Sequence, residues 1–118
     1  MIDLGNARSG IYMGSEATFN SIGGTTIGSG NVISGNNEGG ILFNAVGVNY
    51  NTVAGNIIGL NVLGTTAIPN TQYGINVSGG AYNTIGGTTA TARNIISSNG
   101  QWGILVQGTT ATGNAIVG

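Results

Sequence analysis

The sequence predicts an all-β fold, a right-handed parallel β-helix (β-solenoid) of about four coils, each of roughly thirty residues and three short strands. Three observations carry that reading. The chain repeats itself at an offset of 63, so that residues 20–55 align with residues 83–118 without a gap. Three short signatures recur inside each repeat. Between glycines and asparagines lie runs of three to five β-branched or apolar residues, too short for helices and suited to strands.

The long repeat is read directly from the residues. Asn20-Ser21-Ile22-Gly23-Gly24-Thr25-Thr26 becomes Asn83-Thr84-Ile85-Gly86-Gly87-Thr88-Thr89, Asn31-Val32-Ile33-Ser34 becomes Asn94-Ile95-Ile96-Ser97, and Gly40-Ile41-Leu42 becomes Gly103-Ile104-Leu105. With a one-residue slip the match extends upstream, pairing Leu4-Gly5-Asn6 with Ile68-Pro69-Asn70 and Gly10-Ile11 with Gly74-Ile75. Residues 1–118 thus read as one β-helix domain, two copies of a double-coil unit of about 63 residues, beginning and ending mid-repeat.

Each unit divides into two coils through the three signatures. Gly-Ile starts at Gly10, Gly40, Gly74 and Gly103; Asn-x-Ile/Val starts at Asn20, Asn51, Asn83 and Asn114; Asn-Val/Ile-Ile starts at Asn31, Asn56 and Asn94. Hairpin turns would reverse the chain, whereas identical signatures at a fixed interval are best satisfied when each coil lies parallel on its predecessor, about 4.8 Å along an axis. In such a stack Ile22, Val53, Ile85 and Ile116 form one inward column, and Ile11, Ile41, Ile75 and Ile104 another.

The corners fall to asparagine and glycine. Asn20, Asn51, Asn83 and Asn114 are expected to be structural, since an asparagine at a bend tolerates unusual backbone angles and its amide can bond from coil to coil. Gly24, Gly55, Gly87 and Gly118 are expected at bends of positive φ.

Composition narrows the function. Glycine at 24 residues would suit disorder in a polar chain, but 40% of the 118 residues are hydrophobic and 4% charged. The charged residues are Asp3, Arg8, Glu16, Glu38 and Arg93, so there is no basic patch for nucleic acid and no polybasic segment for a membrane surface. Cysteine and histidine are absent. The opening Met1-Ile2-Asp3-Leu4-Gly5 lacks the basic and apolar regions of a signal peptide, and the repeat register favours a signal removed with other sequence over a chain that was never exported.

At the level of motif, the run Asn83-Thr84-Ile85-Gly86-Gly87-Thr88-Thr89-Ala90, then Arg93-Asn94-Ile95-Ile96-Ser97 and Asn99, then Gly103-Ile104 and Gly108-Thr109-Thr110-Ala111-Thr112-Gly113-Asn114, resembles bacterial secreted or surface proteins with right-handed parallel β-helix repeats of the pectate-lyase-like fold. The resemblance implies an extracellular or cell-surface location. It says little of activity, because that fold hosts lyases, adhesins, phage spikes and plain stalks.

No catalytic set is legible. Asp3, Glu16 and Glu38 belong to different coils or corners, whereas a two-carboxylate hydrolase needs its pair within about 5–9.5 Å. A hydroxyl nucleophile would need a base, and neither His nor Lys is present. Calcium held by main-chain carbonyls would need six to eight oxygens, so neither metal nor cofactor is expected. Arg93 is expected to bond loop carbonyls and Arg8 to be a solvated surface residue.

Aromatic residues supply the binding candidates. Phe19, Tyr50 and Tyr82 each precede a corner asparagine and should stack as one column, while Tyr73 and Trp102 precede consecutive Gly-Ile strands as a second pair. One reading is a strip that holds sugar rings; the other is a stacked ladder worth about 0.5–1.5 kcal/mol per pair beyond burial. Tyr12, Leu42, Asn76 and Leu105 should point outward from the Gly-Ile strands, covered by a loop or offered to a partner. The pairs Thr25-Thr26, Thr65-Thr66, Thr88-Thr89 and Thr109-Thr110 raise ice binding, but a flat array wants Thr-x-Thr, because adjacent strand residues face opposite ways.

The sequence thus points to a non-enzymatic structural or adhesive solenoid segment of a larger exported or surface protein. Its expected partners are further copies of itself, end to end or laterally, with polysaccharide as the alternative and ice as a third reading.

Overall fold

The computed structural model describes residues 4–118, so Asp3 lies outside the described residues. The first turn carries β1 (Ile11–Met13), β2 (Ser21–Gly23) and β3 (Val32–Ile33); the second carries β4 (Gly39–Phe43), β5 (Thr52–Ala54) and β6 (Ile57–Ile58). The third carries β7 (Tyr73–Ser78), β8 (Thr84–Gly86) and β9 (Ile95–Ile96), and a fourth rung adds β10 (Trp102–Gln107) and β11 (Ala115–Val117). All eight strand pairings are parallel, in three sheets: β1-β4-β7-β10 (sheet A), β2-β5-β8-β11 (sheet B) and β3-β6-β9 (sheet C). The chain is therefore a parallel β-solenoid of about three turns rather than four full coils. The difference has a plain origin, because the Asn-Val/Ile-Ile signature that makes sheet C occurs only three times.

Register follows the predicted columns. Ile11, Ile41, Ile75 and Ile104 lie in line along sheet A, and Ile22, Val53, Ile85 and Ile116 along sheet B. Burial is graded along each column. Ile22, Ile41, Ile75, Val53 and Ile85 are buried, Ile11 and Ile104 partly so, while Ile116 is 58% exposed on the last rung, which, unlike the first, has no sheet C strand among the described residues. Two further columns complete the interior, Met13-Phe43-Val77 on sheet A and Ile33-Ile58-Ile96 on sheet C. Each fully buried Ile or Phe contributes about 1.5–3 kcal/mol, so the core is continuous but only one side chain deep per strand.

Loop lengths alternate, and this is the physical basis of the double-coil repeat. Between sheets B and C, turns 1 and 3 carry the loops 24–31 and 87–94, the second including a 3-10 turn at Ala90–Ala92, whereas Gly55 and Asn56 alone connect β5 to β6. Between sheets C and A the order reverses, with the long loop 59–72 in turn 2. That loop folds back on itself through an antiparallel bridge of Leu60 with Ala67.

Backbone angles correct part of the glycine reading. Gly55 and Gly118 do have positive φ, but in turns 1 and 3 the left-handed residue is Gly23 and Gly86, one place before the expected Gly24 and Gly87. A second residue of the β5 and β11 signatures, Ala54 or Val117, occupies that place, so the bend moves on by one.

Candidate functional site

The predicted corner asparagines form a hydrogen-bonded ladder, buried at Asn51 and Asn83, half-buried at Asn114 and exposed at Asn20 on the first rung. Along Asn20, Asn51, Asn83 and Asn114, each residue sends its backbone N–H and its side-chain amide to the Oδ1 of the next, at 2.9 and 3.0 Å in all three steps. The remaining amide hydrogen turns back to the preceding turn, from Asn51 to the Ala17 carbonyl, from Asn83 to Val48 and from Asn114 to Gly80, each at 2.9 Å. In Asn51 and Asn83 two acceptor sites and two donors are all used, the full capacity of a carboxamide.

Two more ladders run beside it. Asn31, Asn56 and Asn94 repeat the pattern at the start of sheet C. Asn6, Asn36, Asn70 and Asn99 form a third before sheet A, a set that the strand signatures did not single out, in which the last step is made by the Asn70 side-chain amide alone. Its signal was present as an asparagine two residues beyond the Ser of Asn-Val/Ile-Ile-Ser, at Asn36 and Asn99. Among the described residues no buried side-chain nitrogen or oxygen lacks a partner.

The aromatic column also forms. Phe19 and Tyr50 stack with centroids 5.2 Å apart and planes 6° from parallel, and Tyr50 and Tyr82 at 5.3 Å and 8°. All three residues have left-handed backbones, φ 57°, 58° and 56°, which L-residues adopt at a cost of about 1–2 kcal/mol. Gly113 holds the same place in the fourth rung, with φ 66°, and a Cβ there would come within 2.5 Å of the Tyr82 ring. The rings therefore turn their faces toward one another and toward Gly113, and their edges toward solvent; Phe19 keeps one open face and is 78% exposed.

Tyr73 and Trp102 are neighbours in register, as the signatures imply, but their environments differ. Trp102 is exposed, whereas Tyr73 is 3% exposed, its ring lying where any side chain at Gly39 would be. Burial raises the Tyr73 phenol above the ordinary tyrosine range, opposed by its hydrogen bond with Ser9.

A polar cluster that the sequence did not suggest gathers around that phenol. Ser9 donates to Glu38 at 3.2 Å, so the Tyr73 hydroxyl, 3.1 Å from the same Ser9 oxygen, is the donor of that contact. Arg8 is not merely solvated, since its Nε stands 3.5 Å from the same Glu38 oxygen, with a side chain 77% exposed. The cluster ties three successive rungs together. Chemically it offers one carboxylate, whose oxygen is already held by Arg8 and Ser9, and a hydroxyl with no imidazole or amine beside it.

Other expected positions are placed as follows. Arg93 is exposed, and its side chain makes no hydrogen bond or ion pair among the described residues, contrary to the expected bond with loop carbonyls. The loop there turns its carbonyls to backbone donors instead, as in Gly55 N–H to Ala92 O at 3.2 Å. On the outer side of sheet A, Tyr12 is exposed but Leu42 and Asn76 are buried, so the expected outward column is not a continuous apolar surface. The threonine pairs lie in loops at three different corners, after β2, β6, β8 and β10.

No protein family, curated protein or solved structure matches the chain. Among the described residues, no helix is long and apolar enough to cross a membrane.

Proposed function

We propose that this chain is a non-enzymatic structural or adhesive segment, a rigid β-solenoid spacer of an exported bacterial surface protein of the pectate-lyase-like kind. The observation that carries the reading is the set of three asparagine ladders, which commits the buried polar groups to holding successive turns together. Chemistry on a substrate would need polar groups held out for it, and Glu38, Ser9 and Tyr73 are spent on one another. The polarity of the ladders supports stacking of a further turn in register on either face, from the same chain or from a second copy. A first rung offers Oδ1 acceptors, a last rung amide donors, and such a contact repeats head to tail.

Polysaccharide binding is the second reading, favoured by the open face of Phe19 and the exposed Trp102. It ranks below the first because a platform for sugar rings presents aromatic faces to solvent, and the Tyr50 and Tyr82 faces are taken up by the stack. Calorimetric titration against plant and bacterial polysaccharides separates the two. The structural reading expects no saturable heat. A saturable polysaccharide whose binding is lost in Phe19→Ala or Trp102→Ala would replace it.

A further inference from the structure

Alternation of the loops leaves a recess on the surface of turn 2. Because Gly55 and Asn56 alone join β5 to β6, the loops 24–31 and 87–94 of the flanking turns rise on both sides of that corner. The floor is bare backbone. A Cβ at Gly55 would lie 2.4 Å from the Gly24 carbonyl oxygen on one side and 2.9 Å from that of Thr91 on the other, so the two walls meet a residue that only glycine can be. The recess encloses about 260 Å³ and is lined, among others, by Ile27, Ile57, Thr91, Arg93 and Ile95.

Its surface has two chemical halves. One is apolar: Ile57 and Ile95 are in register along the outer face of sheet C, Ile95 exposed and Ile57 partly so, and the exposed Ile27 of the first loop adds to them. The other is the Arg93 guanidinium. Of the two cations of the chain, Arg8 is paired with Glu38, and Arg93 has no ionic partner among the described residues.

We propose that this recess is a binding site for a small organic carboxylate, an occupant beyond the structural role argued above and independent of it. The carboxylate pairs with the Arg93 fork, and an aliphatic or ring-shaped body lies over Ile57 and Ile95 between the loops. A bare inorganic anion would leave the apolar floor in water. A polyanion would find a single cation, too few for the counterion release that drives such binding. The volume falls below the roughly 300–1,000 Å³ of pockets for drug-sized ligands, which limits the occupant to a small molecule.

The test is an NMR titration of the 118-residue chain with cyclohexanecarboxylate, with acetate and cyclohexylmethanol as the charge-only and body-only probes. The site predicts saturable amide shifts at Gly28, Gly55, Ile57, Thr91 and Ile95, with both control probes weaker. Arg93→Gln, an exposed substitution, should weaken cyclohexanecarboxylate by about threefold to fivefold while leaving the melting temperature in place. Ile95→Thr should weaken it without changing the response to acetate. Absence of saturation, shifts scattered over all three sheets, or an Arg93→Gln affinity equal to that of the parent chain would each overturn the proposal.

Discussion

The side-chain oxygen of Asn83 accepts both hydrogen bonds that Asn51 sends along the stack, from its backbone N–H at 2.9 Å and its amide at 3.0 Å. One carboxamide thus terminates two donors of the turn before it, while its own amide and N–H engage Asn114 and Val48. Removing it should orphan several buried groups at once. Asn83→Ala is expected to lower unfolding free energy by about 3–5 kcal/mol, from groups worth about 1–3 kcal/mol each when left unsatisfied. Asn20→Ala, on the first rung, removes an exposed side chain that donates to Asn51 and Thr18 but terminates no donor, and should lose about half as much or less. Urea unfolding with unchanged slope measures both, and equal small losses would mean that the ladder contributes little.

Position along a column should matter as much as residue type. Ile85 is 2% exposed in the sheet B column, so Ile85→Asp places an unpaired carboxylate in the core at a penalty of several kcal/mol and should unfold or aggregate the chain. Ile116→Asp changes the same residue type in the same column, but on the exposed rung, and should still melt cooperatively. Normal melting of Ile85→Asp would show that the column is not where the structure places it.

The aromatic column makes an unusual prediction about glycine. In an ordinary backbone, alanine stabilises over glycine by about 0.4–1 kcal/mol. At Tyr50, φ 58°, that order should reverse, since both variants lose the stack but only Tyr50→Ala retains the left-handed strain. Tyr50→Gly should be more stable than Tyr50→Ala by about 1 kcal/mol. Thermal unfolding of the pair in one buffer gives the sign directly.

Alkaline pH should report on Tyr73. Its folded-state pKa is raised by burial above the unfolded value, so the folded chain holds the proton more tightly. The associated stability is fully present below the unfolded tyrosine pKa, about 10, and is lost as pH rises from there through the folded value. Melting temperature should therefore fall above about pH 10, and Tyr73→Phe should reduce that slope even if it lowers stability at neutral pH by removing the donor to Ser9. An unchanged slope in Tyr73→Phe would assign the alkaline loss to other groups.

What the sequence disclosed was what repeats in register. Ile22, Val53 and Ile85 could be placed inside, and Asn20, Asn51 and Asn83 at one corner, because each column needs the same residue type on every turn and a copied pattern is visible in one dimension. The aromatic column was legible for the same reason. Contacts built from unlike residues were not. Ser9, Glu38 and Tyr73 meet because three rungs bring different side chains to one edge, and nothing in their spacing marks the encounter. The recess at Gly55 was hidden differently: its cause is a short connection, and a missing loop leaves no motif.

The ladder spacings carry a final consequence. Successive asparagines before sheet C are 25 and then 38 residues apart, and those before sheet A 30, 34 and 29, yet those before sheet B are 31, 32 and 31. Each amide contact acts as an index mark that restarts the count, so a length change in one corner is absorbed before the next mark and never accumulates into a slipped strand. Loops on such a scaffold can vary in length and composition without negotiating with the core, and the surface of each turn is free to diverge while its interior stays aligned.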